Sequence, residues 1–357
     1  MVAFIKQYFN KGRPWRKKIL LAIPVAFALL LVFPAFCSTA HVPTLINTSK
    51  NGPSSIVSTS VFSGGWDLKW GKVPNARWYQ VYIDGGKYAT LDAVDQSIHI
   101  DAGIVPESAS SPYPLFAVRA VYESGDLSTF SFKAGCTPLT YVAVRGSGQN
   151  DNDHGYAGSL GDRGASMVSS LRKNLGTGAS EVSAVGLAYP AARVDTALGW
   201  LSYSKSVSAG VLTLGSTLPE LLSVCPQTNF ILFGYSQGAD VIASTWQSSL
   251  PEQIRDHVLH ITLFGDPHYN PNDTSNQNSS AAYAGPLGAR VALNEGKIRS
   301  WCATSDVVCQ GSNDNLTNLT DRIHGQTYDT WQEEDSAKTA AQIRKKYPTG
   351  LTLPPKF

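Results

Sequence analysis

The chain has 357 residues, 43% hydrophobic and 16% charged, which is enough for two globular domains with a sizeable core. The net charge of +2 is unevenly spread: residues 1–18 hold six Lys and Arg and no acid, leaving 23 Lys and Arg against 27 Asp and Glu in the remainder. That slightly acidic body excludes nucleic-acid binding through a basic patch.

The basic start runs into Ile19 to Phe36, eighteen uncharged and mostly apolar residues. Such a segment fits the core of a signal peptide or a short membrane span. Ser38-Thr39-Ala40 places small residues where a signal peptidase reads them, so cleavage after Ala40 is the first expectation. The alternative is a retained N-terminal anchor with its positive flank in the cytoplasm. Residues 1–40 are thus a signal peptide or anchor, and the rest of the chain is expected to be secreted or held at the cell surface. After Cys37, four cysteines follow: Cys136, Cys225, Cys302 and Cys309. An even number in an oxidising compartment suggests disulfides. Three pairings exist on paper. Cys302 and Cys309 are near enough in sequence to close a small loop, which leaves Cys136 for Cys225. Zinc is disfavoured, because there is no Cys-x-x-Cys pair and no suitably spaced histidine.

Residues 41–60 are rich in Ser, Thr, Asn and Pro and read as a linker. In 61–134 the pattern becomes alternating. Trp66 to Trp70, the Tyr79, Val81, Ile83 face and Phe116 to Val121 are strand-like, with turns at Asp84-Gly85-Gly86 and Glu123 to Asp126. Short strands divided by turns predict a small antiparallel sandwich. The run from Trp70 to Gly85, with Val73-Pro74-Asn75-Ala76 before the aromatic strand, resembles a fibronectin type III domain. Trp66, Trp70 and Trp78 are expected to be core or ordinary strand residues rather than a polymer-binding surface, and the domain to be a spacer or docking unit.

Residues 135–357 alternate strands with helices. Strands are expected at 141–144, 182–188, 229–233, 258–264 and 298–301, and helices at 165–175, within 207–224, after residue 238 and at 335–346. This rhythm predicts an α/β, three-layer, doubly wound parallel sheet, with ligands beyond the carboxyl ends of the strands.

One of those ends carries Gly234-Tyr235-Ser236-Gln237-Gly238. The apolar run 229–233 precedes it and a helical turn follows, the context in which Gly-x-Ser-x-Gly lifts a serine hydroxyl above a sheet. A serine needs a base to take its proton and a carboxylate to orient that base. In this fold class the expected chain order is serine, acid, histidine. His257 and His260 begin a strand and so sit at the wrong end of the sheet. His268 lies on a Pro- and Asn-rich loop. His324 follows every acid candidate and is the expected base. Asp266, before a proline, suits a turn. Asp306, bounded by Cys302 and Cys309, suits a rigid orienting carboxylate and is preferred.

These residues together resemble the cutinases, including acetylxylan esterases and the cutinase-like secreted esterases of actinobacteria. Gly-Tyr-Ser-Gln-Gly-Ala at 234–239 is similar to that family's elbow, and Cys-x-x-x-Asp-x-x-Cys at 302–309 to its acid loop. Cys225, eleven residues before the serine, stands where the family bridges back to the start of the domain, here Cys136. The resemblance implies a triad of Ser236, Asp306 and His324. Through Arg145-Gly146-Ser147-Gly148-Gln149 it implies an oxyanion hole formed by Ser147 and the backbone N–H of Gln237. Gln149 departs from the acid expected there, and the long loop 268–293 leaves substrate size open.

The sequence therefore predicts an exported carboxylic ester hydrolase that forms an acyl-enzyme and needs no cofactor or metal. Its partner is an ester substrate: a lipid, a polyester or an acylated polysaccharide. Membrane or cell-wall attachment would come through the N-terminal segment, and no nucleic acid is involved. Acetylxylan, other polysaccharide or mycolate esters are alternative substrates on the same fold. A surface-anchored binding protein with an inactive hydrolase domain is the alternative of another class.

Overall fold

The computed structural model describes residues 57–61, 65–83, 86–101, 115–124, 128, 131–134, 137–149, 160–176, 181–194, 197–248, 250–277, 281–304, 306–311, 324–325 and 327–351. The apolar segment 19–36 and Cys136 lie outside these residues. Among the described residues, no helix is long and apolar enough to cross a membrane.

The first part is built from two antiparallel sheets. Strands β1 (Val57–Val61), β2 (Gly65–Lys69) and β5 (Ser97–Asp101) form one, in the order β1-β2-β5. Strands β4 (Gly86–Asp92), β3 (Ala76–Ile83), β6 (Leu115–Tyr122) and β7 (Ser131–Ala134) form the other, in that order. Strand β1 lies largely inside the stretch expected to be linker, because Val57, Thr59 and Val61 alternate with serines at the period a strand requires. Leu68, Trp70, Tyr79, Val81, Ile83, Phe116 and Val118 form the core of this part, and Trp66 packs on Phe116 at 5.8 Å. Trp78 is half-buried beneath the Arg77 guanidinium.

The second part is a five-stranded parallel sheet in the order β12-β11-β10-β8-β9. Its strands are β8 (Leu139–Val144), β9 (Val182–Gly186), β10 (Asn229–Tyr235), β11 (Val258–Phe264) and β12 (Ile298–Trp301). Strands β8, β9, β11 and β12 are buried along their whole length, as a sheet covered on both faces demands. Helices α1 (Gly161–Leu175) and α5 (Tyr328–Lys346) cover one face. Helices α2 (Ala197–Val224) and α3 (Gln237–Ser248) cover the other, and the short α4 (Glu252–His257) precedes β11. Side chains such as Leu171, Leu214 and Leu232 are buried in these layers, each worth about 1.5–3 kcal/mol relative to exposure. The chain steps from β8 to β9 on one side and returns to place β10 on the other. The strand order therefore reverses between β8 and β10, the crevice where open α/β sheets bind ligands.

Helix α3 begins two residues early, at Gln237, and three other helices begin earlier by four to ten residues, each early start anchored by tertiary contacts. Helix α2 starts at Ala197, ten residues before Val207, and Tyr203 and Ser206 in that added stretch bond to Asp240 and Gln237. Helix α5 starts at Tyr328 rather than Asp335, with Tyr328 bonded to Asp306 and Asp329 paired with Arg163. Helix α1 starts at Gly161 rather than Ala165. A Cβ on Gly164 would lie 2.8 Å from Cβ of Ala143, so glycine there lets the helix approach the sheet closely. Helix α4 stands where no element was expected. The second strand of the parallel sheet ends at Gly186 rather than Ala188.

Candidate active site

Ser236 lies between β10 and α3 with φ at 57°, a left-handed conformation that a side chain adopts at a cost of order 1–3 kcal/mol. The neighbouring chain holds it there. Its N–H donates to the carbonyl of Phe264 at 2.8 Å, and its own carbonyl accepts the N–H of Ala239 at 2.9 Å. The flanking glycines follow from packing. A Cβ on Gly234 would lie 2.6 Å from the carbonyl oxygen of Gly238, and one on Gly238 would fall 1.9 Å from that of Val144. The elbow therefore rests main chain against main chain on β8.

The loop after β8 meets the elbow from the other side. A Cβ on Gly146 would touch the Tyr235 ring at 2.8 Å and Cβ of Ser236 at 3.2 Å. Nε2 of Gln237 donates to Oγ of Ser147 at 3.1 Å, and Oε1 of Gln237 accepts the Ser206 hydroxyl at 2.7 Å. Accepting that bond leaves the Ser147 hydroxyl proton available to a further acceptor. The backbone N–H of Gln237 opens α3, at the positive end of its dipole. Arg145 fixes this loop. Its guanidinium donates to the carbonyls of Gln149 and Leu187, both at 2.9 Å, and to that of Tyr189, whose hydroxyl donates back to the Arg145 carbonyl. Burial brings the Arg145 pKa down to about 10. Gln149 closes the turn by accepting the Gly146 N–H on Oε1 at 2.7 Å, an acceptor function that a carboxylate could equally fill.

Asp306 and His324 are brought together: Oδ2 lies 2.7 Å from Nδ1 of the imidazole. The Tyr328 hydroxyl donates to the same oxygen at 2.5 Å, and the Val308 N–H to the other at 2.8 Å. Burial alone would raise the Asp306 pKa. The facing His324 and the bonds from His324, Tyr328 and Val308 outweigh it and hold the carboxyl below its ordinary value. Tyr328 moves the opposite way, well above the usual phenol range, through burial and the adjacent carboxylate, so it stays a neutral donor. His324 stacks on Tyr235 with ring centres 4.7 Å apart, and the Tyr235 hydroxyl donates to the His324 carbonyl at 2.9 Å. Arg163 lies over the other partner of that stack, 5.1 Å from the Tyr235 ring centre. Gly265, with φ at 64°, leaves room for the imidazole, since a Cβ there would stand 2.6 Å from Cε1 of His324. With Nδ1 engaged, Nε2 of His324 is buried and has no hydrogen-bond partner among the described residues.

The other candidates have different neighbours. Asp266 is held by Arg290 through two bonds of 2.6 Å. Arg290 also reaches Asp240, which the Tyr203 hydroxyl bonds at 2.9 Å. His268 sits on that cluster, 3.8 Å from Asp240. His260 is buried beside Thr262 and Asp335, and His257 bonds the Thr228 carbonyl. Cys302 and Cys309 form a disulfide around Asp306. Cys225 is also disulfide-bonded, while Cys136, its expected partner, lies outside the described residues. No three His, Cys, Asp or Glu side chains among the described residues could hold a metal ion. No role at the site is expected from the sequence for Tyr235, Tyr328, Arg145 or Gly265. Their only signal is position: two tyrosines beside or one turn after a site residue, an arginine at a strand end, and a glycine before an aspartate.

A doubly wound parallel sheet with a serine on a tight strand-to-helix turn defines the class of α/β hydrolases. The cutinase family model matches residues 135–339, and the chain belongs to that family. Carboxylesterase Culp1 of Mycobacterium tuberculosis is 30% identical over 209 residues, covering 56% of this chain and 85% of the relative. A cutinase of Fusarium solani subsp. cucurbitae is 28% identical over 179 residues, covering 50% and 66%. Among solved structures, an acetylxylan esterase is similar at a TM-score of 0.43 and 20% identity, covering 59% of this chain and 99% of the other. The protein is accordingly a carboxylic ester hydrolase.

Proposed function

We propose that the protein is an exported serine esterase in which Ser236, His324 and Asp306 act as nucleophile, base and orienting acid. The observation that carries this reading is the 2.7 Å Asp306–His324 contact, which leaves Nε2 of the imidazole unengaged at the sheet edge where the elbow holds Ser236. The Ser236 hydroxyl attacks the ester carbonyl and passes its proton to Nε2. The developing oxyanion is received by the Gln237 N–H and the Ser147 hydroxyl, such donors being worth about 3–4 kcal/mol each. His324 then protonates the leaving alcohol, and water resolves the acyl-enzyme by the same proton route in reverse.

Export is supported by the basic-then-apolar start and by the Cys302–Cys309 disulfide, a bond of oxidising compartments. Whether residues 1–40 are removed or anchor the chain to a membrane or cell wall is read by sequencing the N-terminus of the exported protein. The domain division proposed is 61–134 as a fibronectin type III-like sandwich and 135–357 as the catalytic domain. The three-plus-four strand arrangement supports the former. A carboxylic ester of a lipid, polyester or acylated polysaccharide is the proposed substrate class. The names of relatives point both to cutinases and to an acetylxylan esterase, and mycolate esters remain an alternative. Purified protein is to be assayed on short-acyl, long-acyl and acetyl-sugar esters beside Ser236→Ala. Hydrolysis should vanish in the variant, and the chain-length profile identifies the substrate. Full hydrolysis by Ser236→Ala would refute the mechanism. Absence of a fluorophosphonate adduct on Ser236 in the folded protein would favour a non-catalytic binding role instead.

A further inference from the structure

Strands β3 and β6 are shielded on both faces. Tyr79, Val81 and Ile83 face the sandwich core with Phe116 and Val118. The alternate residues belong to the opposite face, which a free-standing sandwich would leave wet. Here that face is dry: Tyr82 is 1% exposed and Arg119 0%. It carries a polar cluster in which Arg119 donates from Nε to Oε1 of Gln80 at 2.8 Å and from a terminal nitrogen to the Tyr82 hydroxyl at 2.6 Å. The Tyr82 hydroxyl in turn donates to Oε1 of Gln80 at 3.0 Å.

What covers this face is the hydrolase. Tyr82 and Ala117 share one apolar cluster with Leu187, Ala188, Tyr189 and Ala191, the segment that follows β9. Strand β6 lies against β9, and β7 against α2. The same segment is the template for the loop that carries Ser147. The carbonyls of Leu187 and Tyr189 accept the Arg145 guanidinium, and the Ala191 carbonyl accepts the Gly148 N–H at 2.7 Å. Electrostatics reports the same proximity. After burial, which raises it, the Tyr82 phenol responds to the charges of both Arg119 and Arg145, and the Arg119 charge adds to the depression that burial imposes on Arg145.

We propose that the β-sandwich is a positioning element of the esterase site: Tyr82 and Ala117 brace residues 187–191, and these hold the loop that presents Ser147. The inference rests on the reading of Ser147 as an oxyanion donor. It goes beyond the expectation of a spacer or docking unit by assigning the sandwich a structural part in catalysis.

The test uses the full chain with Tyr82→Ala, Tyr82→Phe and, as control, Leu68→Ala in the sandwich's own core. Two quantities are read: kcat and KM on a soluble short-acyl ester, and hydrogen exchange at the Gly148 amide. Tyr82→Ala should lower kcat about tenfold with KM little changed, since misplacement of a transition-state donor is felt in kcat. It should also speed Gly148 exchange. Tyr82→Phe keeps the ring and should restore most of kcat. Leu68→Ala should lower the melting temperature and leave kcat unchanged below it. If Tyr82→Ala does not fold, Ala117→Leu, which overpacks the same seam, should give the same pattern. Unchanged kcat and exchange in the seam variants, or an equal loss of kcat in Leu68→Ala, overturns the proposal. If the wild type hydrolyses no ester, the functional reading falls, and Gly148 exchange alone decides: faster exchange in Tyr82→Ala upholds the bracing and unchanged exchange refutes it.

Discussion

Asp266 and Asp306 follow neighbouring strands at the same edge of the sheet, and both are buried, yet they meet different partners. Asp266 is clamped by the guanidinium of Arg290, a group that keeps its proton throughout the accessible pH range. That pair is a fixed charge lock, and its second tie, to Asp240, fastens the loop before β12 to the first turn of α3. Asp306 instead faces an imidazole, the side-chain type whose ordinary charge change falls near neutrality. Burial and position are common to both carboxylates. The chemistry of the partner separates a fixed ion pair from the pair to which the proposed mechanism assigns proton transfer.

That division is broken or sharpened by substitution. The largest effect is expected for Asp306→Asn, which should lower kcat by roughly 10⁴-fold while the protein stays folded, because the imidazole loses its orienting acceptor. Steady-state kinetics on the ester substrate measures it, and a loss below tenfold would break the comparison. Asp266→Asn should act on stability instead, costing roughly 3 kcal/mol by leaving Arg290 poorly compensated. Urea unfolding reads that loss, and kcat of the folded fraction should stay within threefold of wild type, on the order expected for a group outside the reaction.

Replacing both Cys302 and Cys309 by alanine should cost about 2.5 kcal/mol from the short loop they close. The Gln310 side chain also bonds the Ala303 carbonyl, so the acid loop keeps a second fastening and kcat should fall less than stability suggests. The smallest effect is expected for Tyr328→Phe, about tenfold in kcat or some 1.4 kcal/mol. Its distinctive signature lies in pH. The depressed Asp306 carboxyl contributes stability that is complete above the unfolded value of about 3.9 and is lost as pH falls through the lower folded value. Without the Tyr328 hydroxyl the folded value rises, so acid unfolding should begin at higher pH. An unchanged acid limb in urea titrations would show that the tyrosine does not hold the carboxylate.

How much of this was legible follows the physics of each segment. Strands β11 and β12 have the bounds read from the sequence: Val258 to Phe264 is a mostly apolar run, and the short Ile298 to Trp301 lies between the Gly296-Lys297 turn and the cysteine-bounded loop. The first ten residues of α2 were not legible: the helix was expected only within 207–224, and the added stretch depends on partners distant in sequence, Asp240 for Tyr203 and Gln237 for Ser206. The elbow was visible in its Gly-x-Ser-x-Gly spacing, although the need for Gly238 itself comes from the main chain of β8. The tyrosines that seat His324 and Asp306 were not, since a stack and a hydrogen bond across 89 and 22 residues leave no spacing to read. The outer face of β6 was hidden for the same reason. Arg119 in an alternating strand looks like an ordinary wet position, and only tertiary contact makes it dry.

Because Tyr82 and Ala117 share one buried apolar cluster with Leu187, Ala188, Tyr189 and Ala191, the proposed bracing implies that the two parts of the chain are not interchangeable modules. A hydrolase severed at residue 135 would carry Leu187, Ala188 and their neighbours bare on its surface, and uncovered apolar patches recruit their own kind. Self-association and precipitation would then accompany the loss of turnover expected when the bracing of residues 187–191 is removed. A designer exchanging accessory domains on this scaffold has to supply a replacement cover for that patch.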